Sequence, residues 1–107
     1  NAVAFAKMKA GSIFINVGRG DLADSAAVTA ALQSGHLAGA ALDVFDPEPI
    51  PVDHPIRTMP NVILASHIAS ASPPAVKTLR ETAARIALQA VHGEALPNVV
   101  NGVAMRH

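Results

Sequence analysis

Residues 13–20 read Ile13-Phe14-Ile15-Asn16-Val17-Gly18-Arg19-Gly20, a β-branched apolar run stopped by a Gly-Arg-Gly turn. A run this short and continuous predicts a strand over Ile13 to Val17, buried on both faces. Two more runs of the same kind follow, AGAALDVF at 38–45 and VILA at 62–65, predicting strands over Ala38 to Val44 and Val62 to Ala65. Between the first two, Val28, Ala31 and Leu32 fall at i, i+3 and i+4, with Asp24 or Ser25 placed to cap a helix and Gly35 to stop it. Strand, helix and strand joined by short connections pair in parallel through a right-handed crossover, so the chain reads as a three-stranded piece of an α/β sheet.

Helices flank this unit. Val3, Phe5, Ala6 and Met8 mark a short one from Ala2 to Met8, with Lys7 and Lys9 near its end and Gly11 as its stop. Ser72-Pro73-Pro74 opens a long one, with Ser72 as cap and Pro73 in the first position. Its Val76, Leu79, Ala83, Ile86 and Ala90 form a stripe expected to pack, while Lys77, Glu81 and Arg85 form a solvated ladder. The segment from Asp46 to Pro60 carries prolines at 47, 49, 51, 55 and 60 and reads as a stiff, ordered loop. No two of these prolines are three apart, so the loop does not read as a ligand for proline-recognition domains.

Composition removes several function classes. With 107 residues the chain has the size of one domain, and 50% apolar against 15% charged residues marks it as globular. Lys plus Arg balance Asp plus Glu at eight each, leaving no basic field to hold nucleic acid or an anionic membrane. The 22 alanines, three Phe and absence of Trp and Tyr describe a core of small side chains without base-stacking platforms. Without cysteine there is no disulfide or thiolate chemistry, and a reducing, cytoplasmic setting is the expectation. No apolar run is long enough to span a membrane, and Asn1 to Ala10 lacks the pattern of a secretory signal. A chain that opens on Asn1 and enters a helix at Ala2 reads as a piece of something longer.

In an open parallel sheet ligands bind beyond the carboxyl ends of the strands. Here those ends are polar: Gly18-Arg19-Gly20 after the first, Asp43 within the second and Asp46-Pro47-Glu48-Pro49 after it, Ser66-His67 after the third. Taken singly, Arg19 is a solvated turn residue, Glu48 loop surface and His67 a structural histidine; their convergence on one sheet edge is what marks a site. Asp43, in a buried strand, must be paired or lie near the exposed end, because an unpaired buried carboxylate costs several kcal/mol. A glutamate beside a histidine stabilises imidazolium and so makes a general acid. An arginine nearby can fix a substrate carboxylate while that acid protonates the adjacent carbonyl oxygen and hydride arrives at carbon, which suits reduction of a 2-oxo acid. The five histidines (36, 54, 67, 92, 107) never come closer than thirteen residues, so no metal site is expected. No G-x-S-x-G elbow offers a serine nucleophile.

On these residues the chain resembles the D-isomer-specific 2-hydroxyacid dehydrogenases, which include glyoxylate/hydroxypyruvate reductases and D-3-phosphoglycerate dehydrogenases. MKAGSIFINVGRGDLADSAAVTAALQSGHLAGAALDVFDPEPIP at 8–51 and NVILASHIAS at 61–70 match in order and spacing the second half of that family's nucleotide-binding domain. The resemblance implies part of a doubly wound, Rossmann-like parallel sheet, NAD or NADP as cofactor, and a small 2-oxo or 2-hydroxy acid as substrate. It implies a catalytic set of Arg19, which binds substrate, Glu48, the carboxylate partner, and His67, the general acid/base. Asp43 would bond the nicotinamide carboxamide, with Val17, Gly18, Arg19, His67 and Ala69 also bordering the cofactor. Ser66 stands where the family usually has proline, leaving the backbone at His67 less restricted. The chain has no G-x-G-x-x-G and no substrate domain, so residues 1–107 are expected to be the C-terminal part of the nucleotide-binding domain, inactive and weak in cofactor binding alone. Homodimerisation, or pairing with the rest of its own chain, follows from the exposed sheet edge and apolar area such a piece would have. LRETAARIALQAVHG at 79–93 is also similar to NAD(H)-binding corepressors of this fold, which leaves an interaction protein or an inactive remnant as the alternatives to an enzyme.

Overall fold

A computed structural model describes residues 1–102, divided into two compact units, residues 1–69 and the chain from Ser70 onward. In the first unit β1 (Ser12–Asn16), β2 (Leu37–Leu42) and β3 (Val62–Leu64) form one sheet in the order β1-β2-β3. Both pairings are parallel, as expected, with Ile15, Ala41 and Ile63 in one row and Asn16, Leu42 and Leu64 in the next. Each strand is shorter at its carboxyl end than the apolar run suggests. The ladder nevertheless continues through Asp43, whose N–H donates to the Asn16 carbonyl at 3.0 Å and whose carbonyl accepts from His67 N–H at 2.8 Å.

The short helix α1 (Ala2–Ala6) is capped by the Asn1 side chain and ends before the expected Met8. In α2 (Ser25–Gln33), Asp24 is the cap, accepting from the N–H groups of Ala26 and Ala27, and Gly35 takes a left-handed φ of 73° just past the end. The two helices supply Phe5, Ala27, Val28 and Leu32 to a core shared with Leu37, Ala40 and Leu42 of the sheet. Phe5 meets Phe14 edge to face with ring centroids 5.1 Å apart.

This core lies on one face of the sheet only. Ile13, Ile15 and Val17 on the opposite face are 65%, 64% and 61% exposed, and Ile63 beside them is 72% exposed. Burial of the first strand on both faces is therefore not what this unit provides, because α1 and α2 pack into the Phe14 side and no element of residues 1–69 covers the other.

The proline-rich loop holds neither α-helix nor strand, as expected, and forms one 3-10 turn, Pro55–Thr58. His54 Nδ1 accepts the Ile56 N–H at 3.3 Å, and Ile56, 2% exposed, anchors the loop in the core. At the loop's start Ser25 Oγ donates to the Asp46 carbonyl at 3.2 Å. Gly20 admits the loop's close approach, since a Cβ there would overlap the Phe45 carbonyl.

In the second unit α3 (Pro73–Val91) starts at Ser72, whose hydroxyl accepts from the Ala75 N–H, and Lys77 pairs with Glu81 at 3.7 Å. Its apolar stripe packs only in part within this unit: α3 contains no buried residue, Val76 and Ile86 are half-buried, and Leu79 is open to solvent. No helix among the described residues is long and apolar enough to cross a membrane.

Candidate active site

The three strand ends deliver their polar residues to one rim. Asn16, the last residue of β1 and buried, holds the first loop: its Nδ2 donates to the Arg19 carbonyl at 2.9 Å and its Oδ1 accepts from Gly18 N–H at 3.1 Å. Arg19, extended at φ −142°, sends its Nη1 to the Gly18 carbonyl at 3.0 Å and to within 3.5 Å of His67 Nε2. From the proline-rich loop Glu48 Oε1 reaches His67 Nδ1 at 2.9 Å, with both side chains near 40% exposed, at 38% and 40%. The structure thus brings Arg19, Glu48 and His67 into one contiguous cluster. A carboxylate at Nδ1 assigns that nitrogen the proton and leaves Nε2, beside Arg19 Nη1, as the ring's acceptor.

His67 stands at the head of a tight turn with φ of 58°, a left-handed conformation uncommon for a residue with a Cβ. Asp43 organises this turn. Its Oδ1 accepts from Ile68 N–H at 2.9 Å and its Oδ2 from Ala69 N–H at 2.8 Å. These donors, Ala69 foremost, hold its carboxyl below the usual carboxylate range; burial opposes the shift and the nearby His67 adds to it. The requirement that Asp43 be paired is met by backbone donors rather than by a cation.

On the open face of the sheet an apolar recess runs up to this turn, lined by Val17, Ala41, Asp43, Ile63, Ile68 and Ala69, with a volume of about 190 Å³. Val17, Asp43 and Ala69 therefore share one wall, while Arg19, Glu48 and His67 form the rim beyond it. Gly18 lies outside the recess, beneath Leu22. An apolar recess beside a carboxylate at the carboxyl edge of a parallel sheet lies where ligands bind in such sheets. Among the described residues no group of three or more His, Asp or Glu side chains is arranged to hold a metal ion.

Asn16 was not among the sequence candidates. Its one legible signal is an amide closing an otherwise apolar strand, where a buried polar group must find partners. Ser25 likewise shows only as a helix-start residue, not as the tie that fixes the loop bearing Glu48.

Residues 1–69 match the family described as D-isomer specific 2-hydroxyacid dehydrogenase, NAD binding domain. The glyoxylate/hydroxypyruvate reductase B of Citrobacter koseri is 45% identical over 100 residues, which cover 94% of this chain and 31% of that protein. The glyoxylate reductase of Thermofilum pendens is 46% identical over 95 residues, covering 89% of this chain and 28% of the relative. Among solved structures, the D-isomer specific 2-hydroxyacid dehydrogenase of Xanthobacter autotrophicus Py2 in complex with NADPH and MES superposes with a TM-score of 0.79 at 42% identity, covering 92% of this chain and 40% of that one. The chain thus spans about a third of the length of these relatives. The match to residues 1–69, which coincides with the sheet unit and its polar rim, makes this chain a member of the D-isomer specific 2-hydroxyacid dehydrogenases, within their NAD binding domain.

Proposed function

We propose that this chain supplies the acid/base and nicotinamide-facing part of an NAD- or NADP-dependent reductase of small 2-oxo acids. The observation that carries this reading is the 2.9 Å contact of His67 Nδ1 with Glu48, which leaves Nε2 turned toward Arg19. Glu48, at His67 Nδ1, fixes which nitrogen exchanges a proton with substrate. Arg19 offers a planar fork of donors that matches a carboxylate. A 2-oxo acid seated by its carboxylate on Arg19 has its carbonyl carbon one bond from that carboxylate and its carbonyl oxygen within reach of Nε2, so reduction ends with the Nε2 proton on the new hydroxyl. Val17, Asp43 and Ala69 would hold the nicotinamide in the recess, with Gly18 keeping the adjoining loop close. The bound cofactor supplies hydride to the carbonyl carbon. Pyrophosphate and adenosine contacts need a glycine-rich unit that these 107 residues lack.

A segment exchange tests the reading. With this chain replacing its counterpart in the Citrobacter koseri reductase, NADH- or NADPH-dependent reduction of glyoxylate or hydroxypyruvate should persist. In that protein His67→Ala should lower kcat by about 10²- to 10⁴-fold, whereas Arg19→Ala should act mainly through KM. Small, equal effects of both would remove the assignment. Residues 1–107 alone should bind NADH and NADPH weakly; affinity in about the micromolar range would mean that the chain carries a full dinucleotide site.

A further inference from the structure

We infer that Asp43 is the positioning residue for His67: its carboxylate, not the chain leading into the histidine, sets the left-handed backbone on which the imidazole's contact with Glu48 depends. The functional meaning of this inference rests on the acid/base reading of His67 given above. A Cβ-bearing residue at φ 58° returns to extended or right-handed backbone unless its surroundings over-determine it. Here the acceptors for the three backbone N–H groups of the turn all belong to one residue. Asp43 takes the His67 N–H on its carbonyl at 2.8 Å, the Ile68 N–H on Oδ1 at 2.9 Å and the Ala69 N–H on Oδ2 at 2.8 Å. Any other backbone at His67 would turn the next two N–H groups away from these acceptors and swing the imidazole off the rim. Ser66 cannot do this work, being exposed and without a hydrogen bond of its own among the described residues.

The requirement is for a carboxylate specifically. Two N–H donors converge on two oxygens, so an amide at this position would set its own NH2 against one of them. Asp43 is in turn buried and tied to the neighbouring strand, its N–H bonded to the Asn16 carbonyl at 3.0 Å. Asn16 also pins the Arg19 loop through its side chain. The arginine and the histidine therefore take their positions from one pair of neighbouring strand ends, Asn16 and Asp43. Each Asp43 oxygen keeps a second lone pair, so a carboxamide contact remains compatible with this role.

Nuclear magnetic resonance on the 107-residue chain tests the inference without a cofactor. In the unsubstituted protein, scalar couplings across the hydrogen bonds should connect the Ile68 and Ala69 amide nitrogens to the Asp43 carboxyl carbon. In Asp43→Asn the exchange of those two amides should accelerate about tenfold or more. The His67 ring nitrogens should then pass from a single Nδ1–H tautomer to a mixture, while protection at Ala40 persists. Asp24→Ala, which removes the similar two-donor carboxylate at the start of α2, should leave the His67 ring unchanged. If Asp43→Asn does not fold, the couplings in the unsubstituted chain and the ring pattern of Asp43→Glu decide. Missing couplings, or an unchanged His67 ring in a folded Asp43 variant, would overturn the inference. An intact tie together with a full-rate His67→Ala segment-exchanged enzyme would instead sink the acid/base reading and leave the structural role of Asp43 standing.

Discussion

Phe14 and Ile15 are adjacent, equally apolar and in the same strand, yet they face different worlds. Phe14 packs with the core built by α1, α2 and the Pro55–Thr58 turn, whereas Ile15 stands 64% exposed in a row with Ala41 and Ile63. The difference teaches that apolar continuity along a strand reports what each face can bury, and only the covering layer decides what it does bury. On the covered face helices meet the sheet. On the open face the apolar rows lead up to the recess beside Asp43 and Ala69, and are otherwise an unmet surface.

The largest effect expected from this contrast is on stability. Leu37, fully buried on the covered side, should cost about 2–5 kcal/mol when cut to Ala, while Ile15→Ala should stay within about 0.5 kcal/mol; urea titration of the two variants measures both. Comparable losses in the dilute, monomeric chain would remove the contrast between the two faces. A second, smaller effect concerns association. The chain alone should self-associate through the Ile13, Ile15 and Ile63 surface, and Ile15→Lys should shift it toward monomer without lowering the urea midpoint. Sedimentation velocity across a concentration series reads this, and a monomeric unsubstituted chain would break the comparison.

The smallest effect sharpens the boundary between the faces, where Asp43 sits. Its folded-state pKa lies below the ordinary carboxylate value. Between those two values the unfolded chain binds more protons than the folded one, so the contribution is fully present above the ordinary value and is lost as pH falls through the lowered one. Urea midpoints followed downward from about pH 5 should fall for the unsubstituted chain and fall less steeply for Asp43→Asn. Parallel slopes would show that the buried carboxylate is not the group being titrated.

The parallel order of the three strands, the caps at Asp24 and Ser72 and the stop at Gly35 were legible because each depends on residues a few positions apart. So was the gathering of Arg19, Glu48 and His67 at one edge, since parallel strands point all their carboxyl ends the same way. That no residue of the α3 stripe is fully buried was not legible, because periodicity states that a face can be buried and is silent on whether a partner is present. The ties through Asn16, Ser25 and Asp43 were hidden for a related reason. A short polar side chain gains its role from whichever backbone donors and acceptors the fold brings beside it, and those lie as far as 26 residues away. By itself, then, the sequence determined the strands, the crossover and the polar chemistry of the rim, through continuous apolar runs and local spacing. Only the tertiary structure decided that one sheet face stays open, that His67 is held left-handed and that Asp43 holds it, because each of these depends on contacts between segments that sequence spacing does not encode.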